Sequence, residues 1–221
     1  MSVQDRINQY WTGRAPAYDD YQQRPERVEL DRQIWSKVWA AALPAGSADI
    51  LDVGTGSGQV ANVIAGLGHR VTGIDLAEGM LDRAREHGGP AVFLRGDAVS
   101  PDFPPASFDA VVNRYVMWTL REPDVAVANW IRLLRPGGTI AVADSVWFGN
   151  GQDSSFYDER IHAALPLAKA TSIEQTAAVL RDAGLRDVTV TPLTEVLELD
   201  RDHGVAPGHE VQMQYLITGR R

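Results

Sequence analysis

Apolar positions change their period several times along the chain, and each change marks an element. Ile50-Leu51-Asp52-Val53 is a short apolar run closed by Gly54, the pattern of a buried strand. Beyond the glycines, Val60, Val63, Ile64 and Leu67 fall on one face of a helix, with Gly68 as its stop. Arg70 to Asp75 reads as a second strand, and Glu78 to about Glu86 as a second helix with Met80, Leu81 and Ala84 inward. Ala91 to Leu94 and Phe108 to Asn113 supply a third and a fourth strand. Val127, Trp130, Ile131 and Leu134 mark a helix stopped by Arg135-Pro136-Gly137-Gly138, and Thr139 to Ala143 a fifth strand. Strands separated by helices imply right-handed crossovers and a parallel sheet, whose ligands bind beyond the C-terminal strand ends.

The two ends of the chain follow looser patterns. Ser172 with Gln175 forms a capping-box signature, Ile173, Ala177 and Leu180 supply a buried stripe, and Gly184 ends it. Val188 to Val190 and Val211 to Thr218 read as the last two strands. Near the start, Leu30, Ile34 and Val38 lie four apart with Trp35 and Trp39 beside them, which predicts a leading helix. The chain thus divides into a helical, aromatic lid segment over 1–44 and an α/β domain over 45–221. An insert near 146–171 is expected on the acceptor side.

Composition narrows the function classes. At 221 residues, with 44% hydrophobic and 23% charged residues, the chain has the size and core material of one ordinary domain. The net charge of -8 sets an average field that repels a phosphate backbone, so no nucleic-acid partner is expected. No apolar run approaches the length of a membrane span, and Met1-Ser2-Val3-Gln4-Asp5-Arg6 lacks the pattern of a secretory leader. With no cysteine there is neither a disulfide nor a thiolate site, and the cytoplasm is the expected compartment.

The decisive segment is Asp52-Val53-Gly54-Thr55-Gly56-Ser57-Gly58-Gln59, between the first strand and the first crossover helix. Its glycines allow a sharp turn and close approach of a ligand. The spacing is G-x-G-x-G, however, and the third glycine of a dinucleotide fingerprint would fall on Gln59; no P-loop Gly-Lys follows either. Three acids end or follow successive strands. Asp52 would repel a pyrophosphate and attract an ammonium group. Asp75 stands where a carboxylate accepts from ribose hydroxyls, and Asp97 where it would receive an adenine amine. A ligand with an ammonium, a ribose, an adenine and no phosphate is S-adenosylmethionine.

These segments resemble the class I S-adenosylmethionine-dependent methyltransferases of the bacterial small-molecule type. The resemblance is carried by Ile50 to Gly58, Gly73-Ile74-Asp75-Leu76, Gly96-Asp97-Ala98, Phe108 to Val112 and Leu133 to Gly138, and the opening Tyr10-Trp11 with Ala17-Tyr18-Asp19 is similar to the start of such proteins. It implies a Rossmann-like, doubly wound, seven-stranded, mostly parallel sheet with an antiparallel last strand. It also implies S-adenosylmethionine as cofactor, S-adenosylhomocysteine as product, and a small-molecule acceptor served by a monomer or homodimer. The cofactor residues expected are Asp52, Gly54, Thr55, Gly56, Gly58, Asp75, Leu76, Met80, Gly96, Asp97, Ala98 and Asn113.

The acceptor side is read from the residues after the fourth strand, Asn113-Arg114-Tyr115-Val116-Met117-Trp118. They carry neither the prolines of the amide- and adenine-modifying branch nor the carboxylate of metal-dependent members, so no metal site and no Mg²⁺ requirement are expected. Aromatic faces suit a sulfonium cation and a flat acceptor; four aromatics fall within twelve positions, Tyr10, Trp11, Tyr18 and Tyr21. With Arg114, Tyr115 and Trp118 they form the expected acceptor set. Of five histidines, His69 and His87 read as surface turns, His203 and His209 lie in an acidic connection before the last strand, and His162 in the insert is the candidate base. The alternatives are a non-catalytic cofactor-binding subunit or sensor, and a dehydrogenase disfavoured by its misplaced glycine.

Overall fold

The computed structural model describes residues 1–148, 157–206 and 210–221. Its strands are β1 (Asp49–Val53), β2 (Arg70–Asp75), β3 (Val92–Arg95), β4 (Phe108–Arg114), β5 (Leu134–Ser145), β6 (Arg186–Pro192) and β7 (Gln214–Arg220). They form one sheet in the order β3-β2-β1-β4-β5-β7-β6. The pairs from β3 through β5 are parallel, and β7 runs antiparallel to both of its neighbours. The order reverses between β1 and β4, which places a ligand crevice beyond their C-terminal ends.

Side chains alternate across the sheet and build two cores. Ile50, Ala110, Val112 and Ala141 face one layer, where they meet α2 (Val28–Ala42), α3 (Gln59–Gly66) and α8 (Thr194–His203). Leu51, Val53, Val111, Ile140 and Val142 face the other, against α5 (Pro123–Leu133) and α7 (Ile173–Asp182). Because strands buried on both faces need apolar residues at every position, their sequences are continuous apolar runs. α7 is capped as its sequence predicts, Ser172 and Gln175 bonding reciprocally.

Several expectations need correction. The buried stripe of α2 is Asp31, Trp35 and Trp39, one position away from the Leu30–Ile34–Val38 row. The two indoles stack at 5.8 Å and fill the space above the sheet, leaving Leu30 43% exposed. The stretch before the last strand, read as a connection, contains α8, which turns Val196 and Leu199 inward. β5 starts at Leu134, before the glycines expected to precede it, and β7 starts at Gln214, not at the exposed Val211.

The remaining helices shape the crevice. α1 (Val3–Gln22) is opened by a capping box of Ser2 and Asp5 and carries Pro16 inside it. It lies against α4 (Glu78–His87) and touches α6 (Glu159–Ala163). His87, expected on a surface turn, bonds through Nε2 to the buried Asp19 carboxylate at 2.8 Å and ties α1 to α4. Residues 149–156 of the insert, and His209, lie outside the described residues.

Candidate active site

The glycine loop turns immediately after β1, and at two of its glycines only hydrogen fits. Gly54 (φ 69°) would bring a Cβ within 2.5 Å of Val116, and Gly58 (φ 81°), at the N-terminus of α3, within 2.6 Å of Phe93. The amides of Gly54 and Thr55 donate to the Ile74 carbonyl at 2.8 and 2.9 Å, so the loop is pinned to β2. Asp75, the last residue of β2, accepts from the amides of Gly56 at 2.9 Å and Ala77 at 2.8 Å. Burial pushes the Asp75 carboxyl up from the ordinary carboxylate range, while the donated amides of Ala77, Gly56 and Leu76 oppose the shift.

A cavity opens above this loop. Gly54 and Gly56 line it from the loop, Asp75 and Leu76 from the end of β2, Met80 from α4, and Gly96, Asp97 and Ala98 from beyond β3. A Cβ on Gly56 would meet nothing nearer than Met80 Sδ at 4.0 Å, so the backbone there borders open space. Asp97 is fixed by the Val99 amide at 2.8 Å.

Four of the expected cofactor residues stand behind the wall instead of on it. Asp52 is 1% exposed and accepts from the Thr55 hydroxyl at 2.6 Å, so this pair braces the loop from beneath. Burial raises the Asp52 carboxyl to about 7. Gly58 serves the turn into α3. Asn113 is fully buried, and neither of its amide atoms has a partner among the described residues.

Trp11, Tyr18 and Tyr21 of α1 close the other end of the cavity together with Arg114 and Tyr115 at the end of β4, Trp118 and Trp147. Tyr10 is not on the wall; it packs edge-on against Trp11 and Tyr157, at 5.4 and 5.0 Å. His162 is also off the wall, because Ile161 is the α6 residue that turns inward. The imidazole rests edge-on near Tyr157 and Phe148, each at 5.9 Å. Tyr157 accepts from the Trp11 indole N–H at 2.6 Å, which couples α1 to the insert.

This end also holds a buried charge lattice, of which only Tyr21, Arg114 and Tyr115 belong to the expected set. The Arg27 guanidinium, 7% exposed, donates to Asp200 at 2.6 Å, Asp31 at 3.3 Å, the Tyr21 hydroxyl at 3.0 Å and the Gly204 carbonyl at 2.5 Å. Gln214 of β7 donates to the second Asp200 oxygen at 2.7 Å and accepts from the Tyr115 hydroxyl. Gln59 donates to Asp31 at 3.0 Å and accepts from Arg114. Burial pushes Asp200 up, and its bond to Arg27 pulls it down. In the sequence, Arg27 and Asp31 form an ordinary i,i+4 pair, and nothing links them to Asp200 or Gln214.

Another buried acid, Asp144 at the end of β5, organises the loop after β4. It accepts from the amides of Ser145 at 2.8 Å and Met117 at 3.1 Å and from the Trp147 indole, while burial raises it to about 7. Tyr115 begins that loop in the left-handed region at φ 64°, a conformation costly for a residue with a side chain. Among the described residues no group of three or more histidines and acids is arranged to hold a metal, and no helix is long and apolar enough to cross a membrane.

Residues 51–142 match the methyltransferase domain family. The chain is 30% identical over 202 residues to a ubiquinone biosynthesis O-methyltransferase of Thiobacillus denitrificans, covering 80% of each chain. It is 32% identical over 159 residues to a malonyl-[acyl-carrier protein] O-methyltransferase of Erwinia pyrifoliae, covering 70% of this chain and 60% of that protein's length. Its fold superposes on a phosphoethanolamine N-methyltransferase of Haemonchus contortus in complex with S-adenosylhomocysteine, with a TM-score of 0.69 and 19% identity, over 100% of this chain and 61% of that one. By sequence and by fold, the chain belongs to the class I S-adenosylmethionine-dependent methyltransferases.

Proposed function

We propose that the protein transfers a methyl group from S-adenosylmethionine to an oxygen or nitrogen of a small, flat acceptor, an aromatic or heterocyclic metabolite, without a metal ion. The observation that carries this reading is one continuous cavity with two unlike ends. One end has a carboxylate, Asp75, aimed by two backbone amides beside a glycine turn; the other is walled by aromatic side chains.

The residues present fit the cofactor. Asp75 would hold the ribose hydroxyls, Asp97 with Ala98 the adenine, and Gly54 with Gly56 the amino-acid portion where backbone borders open space. Met80 and Leu76 would pack against the nucleoside. Asp52 acts through the loop it braces, and Gly58 serves the turn into α3. When bound, the cofactor supplies an electrophilic methyl group on a sulfonium.

The chain's own contribution is alignment and exclusion of water. Trp11, Tyr18 and Tyr21 place α1 as a lid over the acceptor, with Tyr10 behind it, and Tyr115 and Trp118 offer flat walls from the opposite side. Among the described residues His162 lies off the cavity wall, so this reading gives it no step in proton removal.

Calorimetry with S-adenosylmethionine, combined with an assay for S-adenosylhomocysteine release over a panel of phenols, carboxylic acids and heterocyclic amines, tests the proposal. We expect cofactor binding, turnover with at least one acceptor class, and the same turnover in EDTA. Binding without turnover would favour a cofactor-binding subunit, and loss of turnover in EDTA that Mg²⁺ restores would refute metal independence.

A further inference from the structure

The two arginines at the acceptor end of the cavity differ in how far their donors are used. Arg27 is engaged on several sides, by two carboxylates, a hydroxyl and a carbonyl. The Arg114 side chain is as enclosed, at 6% exposed, yet among the described residues only Gln59 accepts a hydrogen bond from it. Its nearest carboxylate, Asp31, is 3.8 Å away, beyond hydrogen-bond reach. The ring faces of Trp35 and Tyr115 flank the guanidinium carbon at 4.9 and 5.1 Å. Arg27 has a nitrogen that is both buried and unpartnered, whereas Arg114 has none, and Arg114 lines the cavity. Its remaining N–H groups therefore open onto the space a ligand would fill.

A guanidinium presents its donors in a planar fork that matches two oxygen lone pairs. Its partner Gln59 directly follows the glycine loop, so Arg114 stands at the junction of the two ends of the cavity. Arg27 takes both Asp31 and Asp200 in hydrogen bonds, which leaves Arg114 with no carboxylate within hydrogen-bond reach.

We propose that the acceptor presents an oxyanion, a carboxylate or a phenolate, to Arg114, and that this oxygen receives the methyl group. The inference rests on the methyl-transfer reading and narrows it to O-methylation. An oxygen lone pair forms the new O–C bond as the C–S bond breaks, and the electron pair of that bond stays on sulfur. Sulfonium and oxyanion become a neutral thioether and a neutral ester or ether, with no proton moved. This agrees with the lining: no histidine among the described residues faces the cavity. An ammonium acceptor would instead need a base, and Asp31 and Asp200 already accept from Arg27, Gln59 and Gln214. The other acids of the lining are Asp75 and Asp97 at the loop end and the exposed Glu210.

The test uses the full chain saturated with S-adenosylhomocysteine, titrated calorimetrically with benzoate, para-nitrophenolate, benzamide and benzylamine. At least one of the two anions is expected to bind about tenfold or more tightly than the amide and the amine, the effect of a charge-assisted hydrogen bond. Arg114→Gln should erase that preference while S-adenosylhomocysteine affinity stays unchanged, which also shows that the variant is folded. Should the glutamine variant not fold, Arg114→Lys, which keeps the charge and loses the fork, must weaken the anion more than benzylamine. Which anion binds, and whether the methylated product is an alkali-labile ester or a stable ether, separates carboxylate from phenolate. Absence of any preference for an anion, a preference surviving Arg114→Gln, or equal weakening in Arg114→Lys would overturn the inference. Failure of the wild type to bind S-adenosylhomocysteine would strike the methyl-transfer reading itself.

Discussion

At the glycine-loop end of the cavity, polar contacts stay within the ends of two neighbouring strands: Thr55 bonds Asp52 three positions back, Ala77 bonds Asp75 two positions back, and Gly56 bonds Asp75 across 19. At the acceptor end, Arg27 reaches Asp200 across 173 positions and Tyr115 reaches Gln214 across 99. The first end is built mostly from backbone amides, which any residue with the right dihedral angles supplies. The second is built from side chains on α2, β4, α8 and β7, each of which must arrive before the others are satisfied. One end is a local motif, and the other is a product of the finished fold.

The largest effect is expected where that distributed end is cut. Arg27→Met leaves Asp31 and Asp200 buried without their shared cation, so stability should fall by about 3–5 kcal/mol. Thermal or urea unfolding measures it, and a loss within about 0.5 kcal/mol, the range of a surface change, would show that the lattice does not hold the helices together.

The local end should respond in ligand affinity instead. Asp75→Ala removes the carboxylate that would meet the ribose hydroxyls, a loss of about 1.5–3 kcal/mol, or tenfold and more, in S-adenosylmethionine affinity. Unchanged calorimetric affinity in a folded variant would refute that assignment.

The same contrast shows how much was legible in the chain. The crossovers, the glycine turn and the acids closing β2 and following β3 are readable, because each depends on a contiguous stretch whose backbone must bend or stay buried. Asp52 was readable as a site residue but not as a brace, since its burial depends on how Thr55 folds back over it. The buried side of α2 is not legible, because the Leu30–Ile34–Val38 row is as periodic as the one that includes Trp35 and Trp39. Only the space above the sheet decides between them. Asp200 and Gln214 gave no signal at all: a charge on a short helix and an amide at a strand start look like surface residues until Arg27 arrives from the far end of the chain.

The smallest expected effect concerns the brace. Asp52 has its carboxyl raised from 3.8 to about 7 by burial. Between those values the folded protein holds the proton and the unfolded chain has lost it. This group's contribution to stability therefore falls as pH rises through that window and is level above it. Asp52→Asn should flatten part of that decline in pH-dependent unfolding measurements. Asp144, Asp75 and Asp200, raised in the same direction, keep the rest. An identical slope in wild type and variant would show that Asp52 does not titrate there.

Where α1 rests on α4, the two helices meet through their backbones. Pro16 has no N–H to give the Thr12 carbonyl, and that oxygen sits 2.6 Å from where a Cβ of Gly79 would be. Neither residue offers a functional group, yet together they set the height of the roof over the cavity. A single methyl group at position 79 would have to lift the roof. Gly79→Ala is therefore a route by which ligand choice can drift without touching any residue that contacts the ligand, and it should show as a broader range of accepted probes. An unchanged range would mean that the roof is held at its height from its other end, where Arg6 meets Asp158.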